Sequence, residues 1–129
     1  MVAEVSVKDD AVKIENVWAA CDLGTVIDPA IVKAQIQSGI VYGLSAALGQ
    51  EITFADGMVQ QSNFHDYDAM RIHQCPNIEV EIVKNTEHMG GAGEPGTPPA
   101  IPALANAIFA ATGKRIRTMP LSTEIEFIA

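Results

Sequence analysis

The chain has 129 residues, 48% apolar and 19% charged, and 8 Lys+Arg against 16 Asp+Glu give a net charge of −8. This is the composition of one globular unit with enough apolar material for a core, and with no Lys/Arg run it excludes the concentrated positive field that nucleic acid or an anionic membrane requires. Cys21 and Cys75 are too few for a metal quartet or a disulfide framework and are expected to be buried thiols; no run nears the roughly 18 apolar residues that span a bilayer, and the N-terminus lacks the basic start and apolar stretch of a signal peptide, which selects neither cytoplasm nor periplasm.

Val2, Val5 and Val7, followed by the Asp9-Asp10 turn signal and the apolar series Val12, Ile14, Val17 and Trp18, predict a β-hairpin ending near Cys21. Asp28-Pro29 then reads as a helix start: the Asp side chain can accept from free first-turn amides, and Pro29 lacks only a donor with no partner there. Val32, Ile36, Ile40 and Leu44 recur every four residues, with Ile31, Val41 and Leu48 widening the stripe, which predicts a long helix over 29–47. Gln35, Gly39 and Gly43 form a second row on this helix where a backbone or a ligand could approach closely. Residues 51–54 and 58–61 flank Ala55-Asp56-Gly57 and predict a second hairpin with positive φ at the glycine. Residues 63–74 are polar and irregular; Ile78, Val80 and Ile82 alternate with Glu79 and Glu81 as a half-exposed strand ending near Lys84. A second helix is expected to begin near Ile101, because a later place for Pro102 would remove a ladder bond, with Leu104, Ile108 and Ala111 as its stripe and Gly113 as a left-handed cap. Ile125 and Phe127 suggest a final strand. No repeat or linker divides the chain, so a single domain over 1–129 is expected, α+β in class, with a mostly antiparallel sheet and two main helices packed on it.

Between the last two elements lies Gly90-Gly91-Ala92-Gly93-Glu94-Pro95-Gly96-Thr97-Pro98-Pro99, in which no regular element survives. Glycines around a single carboxylate let a planar or bulky ligand touch main chain while Glu94 points at it, and in a pocket with little solvent desolvation would raise the carboxyl pKa toward that of a useful base. Gly93 is expected to need either a positive φ or a close ligand. A surface turn with a solvated Glu94 explains the same composition, and the residues alone do not decide between the two. The loop is neither a phosphate-binding loop nor a dinucleotide fingerprint, since no Lys-Ser or Lys-Thr follows and the glycine spacing is wrong. His65, His73 and His88 share no metal-ligand spacing, Asp66 and Asp68 suit a solvated polar turn, and Met58, Met70, Met89 and Met119 suit gap filling.

Gly91-Ala92-Gly93-Glu94-Pro95-Gly96-Thr97-Pro98-Pro99, continuing through Pro102-Ala103-Leu104-Ala105-Asn106-Ala107 to Gly113-Lys114-Arg115 and Pro120-Leu121, resembles the C-terminal end of the molybdopterin-binding subunit in the xanthine dehydrogenase/aldehyde oxidase family, nearest the branch that holds the β subunit of isoquinoline 1-oxidoreductase. Cys21-Asp22-Leu23-Gly24-Thr25, Gln35-Ile36-Gln37-Ser38-Gly39 and Asn63-Phe64-His65-Asp66-Tyr67 match that branch in the same order, so the resemblance spans almost the whole chain.

The resemblance implies part of a molybdenum hydroxylase, an oxidoreductase that places a water-derived oxygen on a small aldehyde or N-heterocycle. It makes Glu94 the general base and Gln35 a hydrogen-bonding partner of the pterin, with Gly39, Gly91 and Gly93 beside the cofactor and no metal ligand from this chain. The cofactor implied is molybdenum-molybdopterin, with or without a nucleotide on the pterin; the partners implied are the remaining segments of the large subunit and an iron-sulfur subunit. Because members of that family are several times longer, the expectation is a C-terminal piece that alone carries neither molybdenum nor activity and associates as a homo-oligomer. A non-catalytic module, a folded remnant or a subunit-pairing domain, is the competing function.

Overall fold

Asp9 and Asp10 both take positive φ, 50° and 65°, as a two-residue hairpin turn requires, and reverse β1 (Val2–Lys8) into the antiparallel β2 (Ala11–Cys21). A computed structural model of the chain describes residues 1–86 and 88–129. The inward apolar residues of β2 are Val12, Ile14, Val17 and Ala19, a pattern that breaks strict alternation between 14 and 17. A bulge resolves it: Glu4 pairs with Asn16 but Val5 with Ile14, so Glu15 is the extra residue and both halves of the strand keep one face on the core.

The long helix, α1 (Pro29–Gly49), starts as the sequence predicts, with the Asp28 carboxylate accepting from the amides of Ala30 and Ile31 at 3.0 and 3.1 Å. Ile36, Ile40, Leu44 and Ala47 are its buried stripe; Ile31, expected to widen that stripe, is 62% exposed. The second hairpin, β3 (Phe54–Ala55) and β4 (Met58–Val59), turns through Asp56 and Gly57 at φ 52° and 77° and is shorter than expected, although the amide of Gln60 reaches the carbonyl of Thr53 at 2.9 Å. The chain then returns through β5 (Asn77–Ile82), which lies parallel to β2, because α1 and the small hairpin carry the chain back to the starting end. The main sheet has the order β1-β2-β5. Pairing is mostly antiparallel and the fold is α+β.

Three expectations are corrected. The second helix, α2 (Thr97–Thr112), begins four residues before Ile101, with Pro98 and Pro99 in the first turn where donors are free and Pro102 inside the helix; burial of Ala100, Leu104 and Ile108 against the core outweighs the missing bond, while Ala111 is exposed. Its end is as expected, with Gly113 at φ 73°. The final strand reduces to one bridge, Val12 with Phe127, on the same edge of β2 as β5 but at the end that β5 does not reach. Cys75 is exposed and Cys21 only half-buried, so neither is the buried thiol expected.

Both helices pack on the face of the sheet formed by Val12, Ile14, Val17, Ala19 and Val80. The opposite face carries side-chain hydrogen bonds, the Asn16 amide donating to Glu4 at 2.6 Å, Asn77 to Asn16 at 3.3 Å and the Ser6 hydroxyl to Glu15 at 2.7 Å, with the exposed Val2 and Trp18 paired beside them.

Candidate functional site

The glycine row of α1 and the Gly/Pro loop meet, and the meeting has a backbone cause. A Cβ on Gly96 would stand 2.5 Å from the carbonyl oxygen of Ile36, and one on Gly43 would stand 2.6 Å from that of Thr97. Only glycine permits this approach. The Thr97 hydroxyl donates to the carbonyl of Gly39 at 3.0 Å, and the Thr97 amide closes a turn on the carbonyl of Glu94 at 3.0 Å. At the other end of the loop the Gly90 amide donates to Leu23 at 2.9 Å. Residues 89–97 therefore run alongside α1 in its own direction, and a trough lies between them.

One end of the trough is apolar, a hollow of about 320 Å³ bordered by Ile27, Ile31, Val32, Met89 and Ala92. The other is a cleft of about 370 Å³ lined by Ser38, Gly39, Tyr42, Gly93, Glu94, Thr97 and Pro98. Of the sequence-predicted residues, the structure thus brings Gly39, Gly93 and Glu94 together. Gln35 lies one helical turn before Gly39, exposed and without a hydrogen bond to another described residue, and Gly91 lies outside the cleft on the same loop. The close approach anticipated along the glycine row is made at Gly39 and Gly43 by the start of α2.

Two expectations about the loop change. Glu94 is exposed, so this chain by itself does not enclose its carboxylate. Gly93 does not have positive φ, and nothing lies within 4 Å of where its Cβ would stand; the same holds at Gly91. Neither backbone strain nor packing within the described residues accounts for these two glycines. Ala92, by contrast, is half-buried against the core.

Ser38, Tyr42 and Pro98 were missed by sequence reasoning. Ser38 and Tyr42 are three and seven residues beyond Gln35, on the same helix face, so the spacing carried the signal. The polar turn expected around Asp66 is present: its carboxylate accepts from the Ser62 amide at 2.8 Å, which holds its pKa below the usual range, and His65 lies 3.2 Å away. Among the described residues no three His, Cys, Asp or Glu side chains converge as metal ligands.

Comparison with known proteins places the chain in a family. Residues 1–76, more than half of the chain and including α1, match the molybdopterin cofactor-binding domain family. The beta subunit of isoquinoline 1-oxidoreductase from Brevundimonas diminuta is 41% identical over 113 residues, 88% of this chain and 14% of that protein. The molybdenum-binding subunit of xanthine dehydrogenase from Escherichia coli O157:H7 is 31% identical over 118 residues, 86% of this chain and 16% of that protein. The crystal structure of the aldehyde oxidoreductase from Desulfovibrio desulfuricans superposes with a TM-score of 0.74 at 25% identity, over 92% of this chain and 14% of that one. This chain spans about one seventh of the length of such relatives. With fold, motif order and family match in agreement, the chain belongs to the molybdopterin cofactor-binding domain family.

Proposed function

We propose that this chain is part of a molybdenum hydroxylase and contributes to it the base, Glu94, and a pterin contact, Gln35. The observation that carries the proposal is the combination of an exposed carboxylate with two glycines just before it, Gly91 and Gly93, that neither φ nor packing explains. The residues fit a pterin as one wall of its site. Gln35 has a free amide with both donor and acceptor capacity, and the loop offers bare main chain. When bound, the molybdenum-pterin group supplies the two-electron sink for oxidation of the carbon centre. Glu94 accepts the proton from the water that furnishes the oxygen, and the turn through Thr97 holds its backbone against α1 while it does so. Because Glu94 is exposed here, exclusion of bulk water falls to the remaining segments of the large subunit, and an iron-sulfur subunit would receive the electrons.

In the complete enzyme, Glu94→Gln should keep its molybdenum content and lose about 10²- to 10⁴-fold in turnover, since the amide is nearly isosteric but takes no proton. Turnover within a few-fold of the parent would remove Glu94 from the role. A subunit-pairing module without catalysis is the second proposal, favoured by Phe64 at 89% and Ile72 at 94% exposure; it predicts that Glu94→Gln changes nothing while polar substitutions at Phe64 and Ile72 abolish assembly.

A further inference from the structure

We propose that the cavity at the carboxyl ends of β2 and β5 binds a small organic carboxylate, its head held by Lys33 and Lys84 and its apolar body lying on Val26 and Ile82. The two parallel strands stop together, Cys21 opposite Ile82, and just beyond them the amide of Val83 donates to the carbonyl of Cys21 at 2.8 Å. The segment after β2 turns away through Gly24 at φ 72° and enters α1, which packs back on the sheet. Parallel strands joined through a helix leave a crevice for a ligand at this position. Here it measures about 400 Å³, within the roughly 300–1,000 Å³ of small-molecule sites.

The walls are tied together. The Asp22 carboxylate accepts from the amide of Gly24 at 3.3 Å and from the side-chain amide of Asn85, so it joins the loop after β2 to the loop after β5. The cavity is separate from the trough: it meets α1 at Pro29 and Lys33, and Lys33, two residues before Gln35, lies on the other side of the helix. It shares only Thr25 and Val26 with the apolar end of the trough.

Lys33 and Lys84 line the cavity from different elements, and neither has a hydrogen bond or ion pair with another described residue. Glu81 lines it too without pairing to either, so two lysines against one glutamate leave the described lining with one net positive charge. That balance suits a monoanion. The first turn of α1 does not supply the attraction, since Asp28 already accepts from the amides of Ala30 and Ile31. The hydroxyls of Thr25 and Thr86 can donate to a carboxylate oxygen. Pro29, Ile82 and Val83 make the rest of the wall apolar, a surface that a hydrocarbon chain covers and an inorganic anion leaves unused.

The test titrates the complete enzyme with hexanoate, hexanamide and inorganic phosphate by calorimetry at low and high salt. Hexanoate should bind, the other two at least about tenfold more weakly, and its affinity should fall as salt rises. Lys33→Gln and Lys84→Gln should each weaken hexanoate about three- to thirtyfold, as expected for a charge-assisted hydrogen bond in a site open to solvent. Both lysines are exposed, so each variant should keep the parent's thermal midpoint, and the comparison of hexanoate with hexanamide on the parent needs no variant. No hexanoate binding, equal binding of hexanamide or phosphate, or unchanged affinity in either variant would overturn the proposal. The readout is binding and neither lysine lies in the trough, so Glu94 can fail as the base while this site stands, and the converse.

Discussion

At the scale of single residues, glycines of the same loop have opposite reasons to be glycine. Gly96→Ala forces a methyl to within 2.5 Å of the Ile36 carbonyl, and because the obstacle is backbone, α1 and the start of α2 must separate. A loss of about 1–3 kcal/mol is expected, the range for overpacking. Gly93→Ala meets nothing within 4 Å and has no positive φ to lose, so thermal unfolding should place it within about 0.5 kcal/mol of the parent. Equal midpoints for the two variants would refute a backbone contact at Gly96. The cysteines supply a second residue-scale expectation. Partial desolvation of the sulfur by neighbouring atoms pushes the thiols of half-buried Cys21 and of Cys75, although that residue is exposed as a whole, above the ordinary thiol range, with Lys33 opposing the effect at Cys21. A raised pKa reduces the thiolate fraction, so at pH 8 both should react with iodoacetamide more slowly than an unstructured cysteine peptide, and the gap should close as pH rises through the raised values. Rates equal to the peptide's at pH 8 would contradict this.

At the scale of elements, the start of α1 matters because it sets the axis along which Gln35, Ser38, Gly39 and Tyr42 are displayed. Asp28→Ala removes the acceptor for the amides of Ala30 and Ile31. The expected cost is about 1 kcal/mol, visible as a midpoint a few degrees lower, while Asp28→Ser should recover most of it; no change in Asp28→Ala would mean that water replaces the cap without loss. At the other helix, packing prevailed over local preference. Pro102 argued for a start near Ile101, yet extension back to Thr97 buries Ala100 against the core and seats Gly96 on Ile36 and Ile40. Proline chemistry is local, whereas the gain from that extension exists only once α1 is in place. The same contrast explains the C-terminal tail. Ile125 and Phe127 alternate as strand residues do, but β5 already occupies β2 from Asn16 to Cys21, and only the bridge at Val12 is left.

At the scale of the whole molecule, apolar side chains stand open on more than one face. The outer face of the sheet carries side-chain hydrogen bonds from Glu4 across Asn16 to Asn77, with Val2 and Trp18 exposed beside them. Elsewhere, large apolar side chains stand open, among them Ile27 at 87%, Phe64 at 89% and Ile72 at 94% exposure. Apolar surface of this kind drives association in water, so the isolated chain should form dimers or larger species. The charge of −8 opposes this by repulsion that salt screens, and light scattering should therefore show mass rising with ionic strength. A monomer at every salt concentration would count against these residues as a docking surface.

The sequence alone determined the elements whose signals are local. Two aspartates predicted the turn of the first hairpin, Asp56-Gly57 that of the second, Asp28-Pro29 the start of α1 and Gly113 the end of α2, because each is a matter of dihedral angle or of a hydrogen bond within a few residues. The ordered motifs around Gln35 and Glu94 likewise pointed to the family. Only the tertiary structure decided that β5 joins β2 in parallel, that the glycine row of α1 receives the backbone of the Gly/Pro loop, and that Tyr42 and Ser38 share a cleft with Glu94. These residues lie more than fifty positions apart in the chain, and their neighbourhood follows from the burial of Ile36, Ile40, Leu104 and Ile108 in one core, a free energy gained only when both helices are packed together.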